Sequence, residues 1–132
     1  MNGTLLKICG MRHADQAAAA AALGVDAIGV IAVPGSKRHV PAAKRPELFA
    51  AVASENPGCR RVLVVADPSE ETLPELDPGQ GHGVLQLHGD ETPERCAELS
   101  SLMALPVWKA FRIRRPQDLS RIAPYELSLI HI

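Results

Sequence analysis

Five short apolar runs recur along the chain, each separated from the next by a stretch of helix-forming residues. The runs are Leu5–Cys9, Ala27–Val33, Val62–Ala66, Val84–His88 and Val107–Phe111. Each is rich in leucine or β-branched residues and is closed by Gly, Pro or Asp, the pattern of strands buried on both faces of a parallel sheet. Between them, His13–Leu23, Pro41–Ser54, Ser69–Leu76 and Pro93–Met103 read as helices. Pro41, Pro68 and Pro93 stand near first turns, Thr92 is a candidate N-cap, and Gly24 sits where a helix end favours a left-handed residue. The loosest stretch, Glu70–Gly83, reads as a short helix followed by a loop. Strand and helix alternating without a break predict βαβ units with right-handed crossovers.

Unit length narrows the architecture. Strand ends fall near residues 9, 32, 66, 88 and 112, a mean spacing of about 26 residues, and eight such units need about 200, the lower bound for a (β/α)8 barrel. The chain is therefore either a five-stranded doubly wound domain or the amino-terminal part of a barrel. No linker, repeat or low-complexity stretch divides it, so residues 1–132 read as a single domain. Its tail, Glu126–Ile132, is apolar and stops within what reads as a sixth strand.

Composition removes several function classes. With 46% apolar and 22% charged residues the chain is globular, and a net charge of −1 advertises neither nucleic acid nor a membrane surface. Three cysteines without a C-x-x-C pair argue against a disulfide framework or a structural zinc site and for a reducing compartment, the cytoplasm. No apolar run reaches the ~18 residues of a membrane span. The Ala17–Ala22 run lacks the basic flank of a signal peptide. Aromatics are only 3% of the chain, so the core is built from Ala, Leu, Val and Ile, and a stacking platform for bases is excluded.

Candidate chemistry gathers at strand ends. Side chains alternate along a strand, so Lys7 and Cys9 share one face at the carboxyl end of the first strand, where ligands bind in parallel α/β folds. A neighbouring ammonium favours a thiolate, which makes Cys9 a candidate base or nucleophile; a small buried cysteine is the alternative. Ser36, Lys37, Arg38 and His39 lie just before a helix start and suit a carboxylate or phosphate, or are simply solvated. Gln86 and His88 share a face of the fourth strand, and His88 is placed to orient a substrate. A metal site through His82, His88 and Asp90 is disfavoured, because His82 lies at the opposite end of that strand. Lys109 and Arg112 have opposite parity, so at most one faces inward. Cys59 reads as a loop residue and Cys96 as a helix-packing residue.

These motifs, in this order, resemble phosphoribosylanthranilate isomerases, which carry out an Amadori rearrangement in tryptophan biosynthesis. The matching stretches are KICGM (Lys7–Met11), GVDAIGVI (Gly24–Ile31), SKRHV (Ser36–Val40), VLQLHGDETPE (Val84–Glu94) and VWKAFRI (Val107–Ile113). The resemblance covers residues 4 to about 123 and implies a (β/α)8 TIM barrel truncated to about its first five βα units. It implies that Cys9 is the general base that removes the C2 proton of the ring-opened sugar imine. Arg38 would hold the anthranilate carboxylate, with Lys7 and His88 as further substrate-binding groups. It implies a small-molecule substrate, no metal and no organic cofactor. Lys37 stands where members often have proline, and Met11 where Ile or Val is usual. The family's general acid, an aspartate ending strand 6, has no counterpart, since Glu126 comes before the apolar run. The glycine-rich phosphate loops after strands 7 and 8 are absent as well.

Residues 1–123 are thus family-like, and 124–132 form a tail best explained by a truncated or out-of-frame gene read. The expectation is a chain without isomerase activity that self-associates through open edges. The competing reading is a (βα)5 receiver-like signalling domain, with Asp67 and Lys109 in suitable places. Cys9-Gly10-Met11, however, replaces the acidic pair that would hold Mg²⁺. Strand order separates the two: sequential for a barrel, 2-1-3-4-5 for a receiver.

Overall fold

The alternation of side chains sorts each strand into an inner face, where apolar residues are joined by Lys7, Cys9 and Gln86, and an outer face of aliphatic residues that the helices cover. The computed structural model describes residues 4–125 and, as backbone, residues 129–131. Six parallel strands, β1 (Lys7–Cys9), β2 (Ala27–Ile31), β3 (Arg60–Val65), β4 (Val84–Leu87), β5 (Val107–Ala110) and β6 (Leu129–His131), lie side by side in the order of the chain. Each unit returns to the position next door, which is the order of a (β/α) barrel and excludes the receiver-like alternative. Register places Cys9 opposite Gly29, Val64 opposite Gln86 and Leu87 opposite Lys109.

The outer face carries Ile28, Val30, Leu63, Val65, Leu85, Leu87 and Val107 against the helices α1 (Ala14–Ala22), α2 (Arg45–Glu55) and α3 (Pro93–Met103). Ala17 and Ala21 of α1 are fully buried, and their short side chains let α2 bring Leu48, Phe49 and Val52 close. The inner face is a smaller cluster of Ala27, Ile31, Val62, Val64, Val84 and Trp108, with Cys9 packed against it. Among the described residues no helix is long and apolar enough to cross a membrane.

Three differences from the sequence expectation have local causes. The stretch Ser69–Leu76 forms a 3-10 helix over Glu70–Leu76 rather than an α-helix. Pro74 inside it has no N–H to donate and would clash with an α-helical turn. Pro41–Ser54 divides into a 3-10 turn, Ala42–Lys44, and α2, whose second residue is Pro46, where a missing N–H is harmless. The first strand begins at Lys7, because Leu5 and Leu6 lie exposed ahead of it. The sixth strand read in the tail is present as β6, Leu129–His131. The expected position of Glu126 ahead of that strand falls outside the described residues. α3 has its predicted bounds, with the Arg95 amide donating to Thr92 Oγ1 at 3.1 Å.

Candidate active site

Lys7 and Cys9 occupy the inner face of β1, and what faces them across the sheet is a glycine. A Cβ on Gly29 would lie 2.8 Å from Cys9 Sγ and 3.1 Å from Lys7 Cε, so both side chains use the space its absence leaves. Lys7 Nζ reaches past β2 and β3 to donate to Gln86 Oε1 on the inner face of β4. Burial holds the Lys7 pKa below the usual lysine value. The Cys9 sulfur opposes that shift through its charge and a hydrogen bond.

The chain leaving β1 is pinned to β2, with the amides of Gly10 and Met11 both donating to Gly29 O at 2.9 and 3.2 Å. Gly10 has φ +90°, and the Arg38 guanidinium lies where its Cβ would be. Glycine is needed there twice over, for the left-handed backbone and for the room. Arg38 Nη1 donates to Cys9 O at 3.3 Å, and the Arg38 amide donates to Ser36 Oγ at 3.2 Å. Arg12 Nη1 donates to Lys37 O at 3.2 Å, so the basic loop after β2 folds over the end of β1. Lys7, Cys9 and Arg38 are thereby gathered at one place.

His88 follows β4 directly and is exposed, with its amide donating to Val65 O at 2.9 Å. It lines a cleft beside Asp90, Phe111, Arg112, Arg121 and Tyr125, at the carboxyl ends of β4 and β5. His82 precedes β4 at its other end, where its Nε2 lies 2.7 Å from Leu76 O. Cys59 is buried just ahead of β3, and Cys96 is buried in α3, where burial pushes its thiol up to about 11.

Two features escaped the sequence reading. Parity puts Gln86 on the inner face, but nothing in the sequence names Lys7 as its partner. Lys109 proves to lie on the outer, helix-covered face, buried with Glu91 as an ion pair, Nζ to Oε1 3.2 Å, with both side chains under 5% exposed. The ammonium aims its hydrogen bonds at Gly89 O (2.7 Å) and Ala110 O (3.1 Å), so its hold on Glu91 is one of charge. Glu91 Oε2 accepts from the Asp67 amide at 2.7 Å, and the Asp67 carboxylate accepts from the Asp90 amide at 3.0 Å. Tyr125 Oη donates to Glu91 O at 2.8 Å. One carboxylate thus ties together the chain segments leaving β3, β4 and β5. Its only sequence signal is the opposite parity of Lys109 and Arg112, which lets at most one of them face inward.

The family model described as N-(5'-phosphoribosyl)anthranilate (PRA) isomerase matches residues 6–128. The chain belongs to the PRA isomerase family. The PRA isomerase of Gloeobacter violaceus is 44% identical over 122 residues, covering 91% of this chain and 53% of its own length. The chain spans about half the length of the curated relatives it matches. The phosphoribosyl anthranilate isomerase of Thermotoga maritima superposes with a TM-score of 0.82 over 97% of this chain and 61% of its own. At 23% identity it speaks to the barrel fold alone. A further matching structure is of a PRA isomerase in complex with reduced 1-(o-carboxyphenylamino)-1-deoxyribulose 5-phosphate. It is 27% identical with a TM-score of 0.73, covering 90% of this chain and 59% of that one.

Proposed function

We propose that residues 1–123, within a single partial-barrel domain, carry the amino-terminal part of a PRA isomerase site. The reaction is the Amadori rearrangement of N-(5-phosphoribosyl)anthranilate to 1-(2-carboxyphenylamino)-1-deoxyribulose 5-phosphate in tryptophan biosynthesis. The observation that carries this reading is the convergence of Lys7, Cys9 and Arg38 at the end of β1 in a chain of this family. An acid first protonates the ring oxygen, which opens the sugar to an imine. The Cys9 thiolate then takes the C2 proton, leaving an enolamine that tautomerises to the ketose. Arg38 presents a planar, permanently charged fork that suits the anthranilate carboxylate. Lys7 and His88 supply further polar contacts to the substrate, and no metal or organic cofactor takes part. Three free thiols suit a reducing, cytoplasmic setting.

Residues 1–132 alone lack an aspartate in the strand-6 context and the glycine-rich phosphate loops, so this polypeptide is expected to be inactive. The phosphate supplies binding energy remote from the reacting carbons, and losing its loops removes that contribution. The test assays purified residues 1–132 by the loss of substrate fluorescence, beside an intact isomerase that carries residues 1–123 as its first units. In the intact enzyme Cys9→Ala is expected to cut turnover by ~10²–10⁴, the usual contribution of a general base. Arg38→Ala is expected mainly to raise KM. Unchanged turnover in Cys9→Ala would remove the thiol from the reaction.

A further inference from the structure

The turn that leaves β4 runs His88-Gly89-Asp90, and every amide in it has a named acceptor. The His88 amide donates to Val65 O at 2.9 Å, the Gly89 amide to Glu91 Oε2 at 3.3 Å and the Asp90 amide to Asp67 Oδ1 at 3.0 Å. The Gly89 carbonyl accepts from Lys109 Nζ at 2.7 Å. Asp67 and Glu91 also hold each other's segments. The Asp67 amide donates to the same Glu91 Oε2 at 2.7 Å, while the Asp67 carboxylate takes the Asp90 amide. The approach is close: a Cβ on Gly89 would stand 2.8 Å from the Asp67 nitrogen. Asp67 itself holds φ +46°, a left-handed backbone that a residue with a side chain keeps only where its surroundings over-determine it.

A turn at the surface has water to satisfy its amides, so a buried carboxylate and a buried ammonium are not needed for that purpose. Apolar burial does not account for them either, since His88 and Asp90 are both exposed. What the arrangement secures is a single orientation for the peptide that follows His88, and the bond to Val65 fixes the peptide before it. With the backbone held on both sides, the His88 ring keeps only its own two torsions. That ring lines the cleft with Phe111, Arg112 and Tyr125. We propose that Glu91 and Asp67 are positioning residues, which together lock the His88–Asp90 turn and so direct the His88 ring into that cleft. The inference rests on the reading of His88 as a substrate contact. Glu91 is the hub, because one of its oxygens serves both segments, and Lys109 holds the Gly89 peptide from its carbonyl side.

The experiment labels residues 1–132 with diethyl pyrocarbonate and, in parallel, with deuterium, each site being read by peptide mass spectrometry. Labelling is run well above the histidine pKa, so that protonation plays no part. The exposed His88 reports the turn, and the buried His82, at the opposite end of β4, reports opening of the fold. Asp67→Gly accepts the left-handed backbone and removes the carboxylate. It is expected to speed deuterium uptake over residues 88–91 roughly three- to tenfold, the worth of one net hydrogen bond. His88 is expected to label severalfold faster, with His82 unchanged. Asp67→Asn keeps an acceptor oxygen and tolerates the same backbone, so it is expected to hold the wild-type rates. Glu91→Gln is expected to loosen His88 as Asp67→Gly does. Should it unfold the chain, which fast labelling of His82 reports, the two Asp67 variants carry the test. An Asp67→Gly chain whose His88 labels at the wild-type rate would overturn the proposal, because the carboxylate would then hold nothing. So would His82 speeding in step with His88, which would make the role one of the fold at large, or an Asp67→Asn chain as loose as Asp67→Gly. Labelling needs no substrate, so a failed clasp is distinguishable from a failed isomerase reading, which the Cys9→Ala assay addresses.

Discussion

Gly29 is a strand residue whose replacement by alanine would ordinarily be neutral or slightly favourable, since glycine in a strand interior loses about 0.5–1 kcal/mol relative to alanine. Here the sign reverses. The added methyl would stand 2.8 Å from Cys9 Sγ, which must move or be compressed. Gly29→Ala is expected to destabilise the fold by ~1–3 kcal/mol, the range for overpacking, as a lower urea midpoint. His82 makes a different residue-scale prediction. Burial lowers its pKa below 6.5, with the Arg45 charge adding to that, while the Leu76 carbonyl and the Asp77 charge oppose it. The unfolded chain therefore binds the proton more readily. Stability is full above pH 6.5 and falls as the pH drops through and below it. His82→Gln, which cannot take up a proton, is expected to flatten that part of the curve of melting temperature against pH.

At the scale of elements, the Glu91–Lys109 pair decides how the ends of β3, β4 and β5 sit together. Lys109→Met leaves Glu91 buried, 1% exposed at its side chain, without its counter-charge. The expected loss is about 3–5 kcal/mol, and Lys109→Met with Glu91→Gln should lose less than Lys109→Met alone. Thr92→Ala removes the cap of α3 and is expected to cost about 1 kcal/mol in chemical denaturation. How much of this was legible follows from the range of each interaction. β2 to β5 and α3 were readable because apolar runs, caps and closing residues lie within a few positions of one another. The shared face of Lys7 and Cys9 followed from parity alone. The Lys7–Gln86 contact did not, because it depends on the curvature that brings β1 within reach of β4. The outward burial of Lys109 depends on a carboxylate supplied by another unit. Pro74 is visible in the sequence, but the helix formers around it mask its consequence, a 3-10 rather than an α-helix.

On the scale of the whole molecule, β1 and β6 are the outer strands of the described sheet, and the inner face bearing Trp108 and Val64 is curved around an interior open on one side. Unpaired strand edges are templates for further pairing. Residues 1–132 alone are expected to sediment as concentration-dependent oligomers. A separately expressed carboxyl-terminal piece of a PRA isomerase is expected to shift them to a single complex. Sedimentation that stays monomeric at high concentration would show that the edges are protected.

The strictly sequential order of the strands has a kinetic consequence. Each strand's partner is the one made just before it, so pairing never waits for a distant part of the chain. Contacts of low sequence separation form quickly, and domains generally fold from the amino terminus during synthesis. A barrel built in this order grows from the ribosome one unit at a time, and the Lys7–Gln86 bridge becomes available as soon as the fourth strand emerges, before β5 and β6 have joined the sheet.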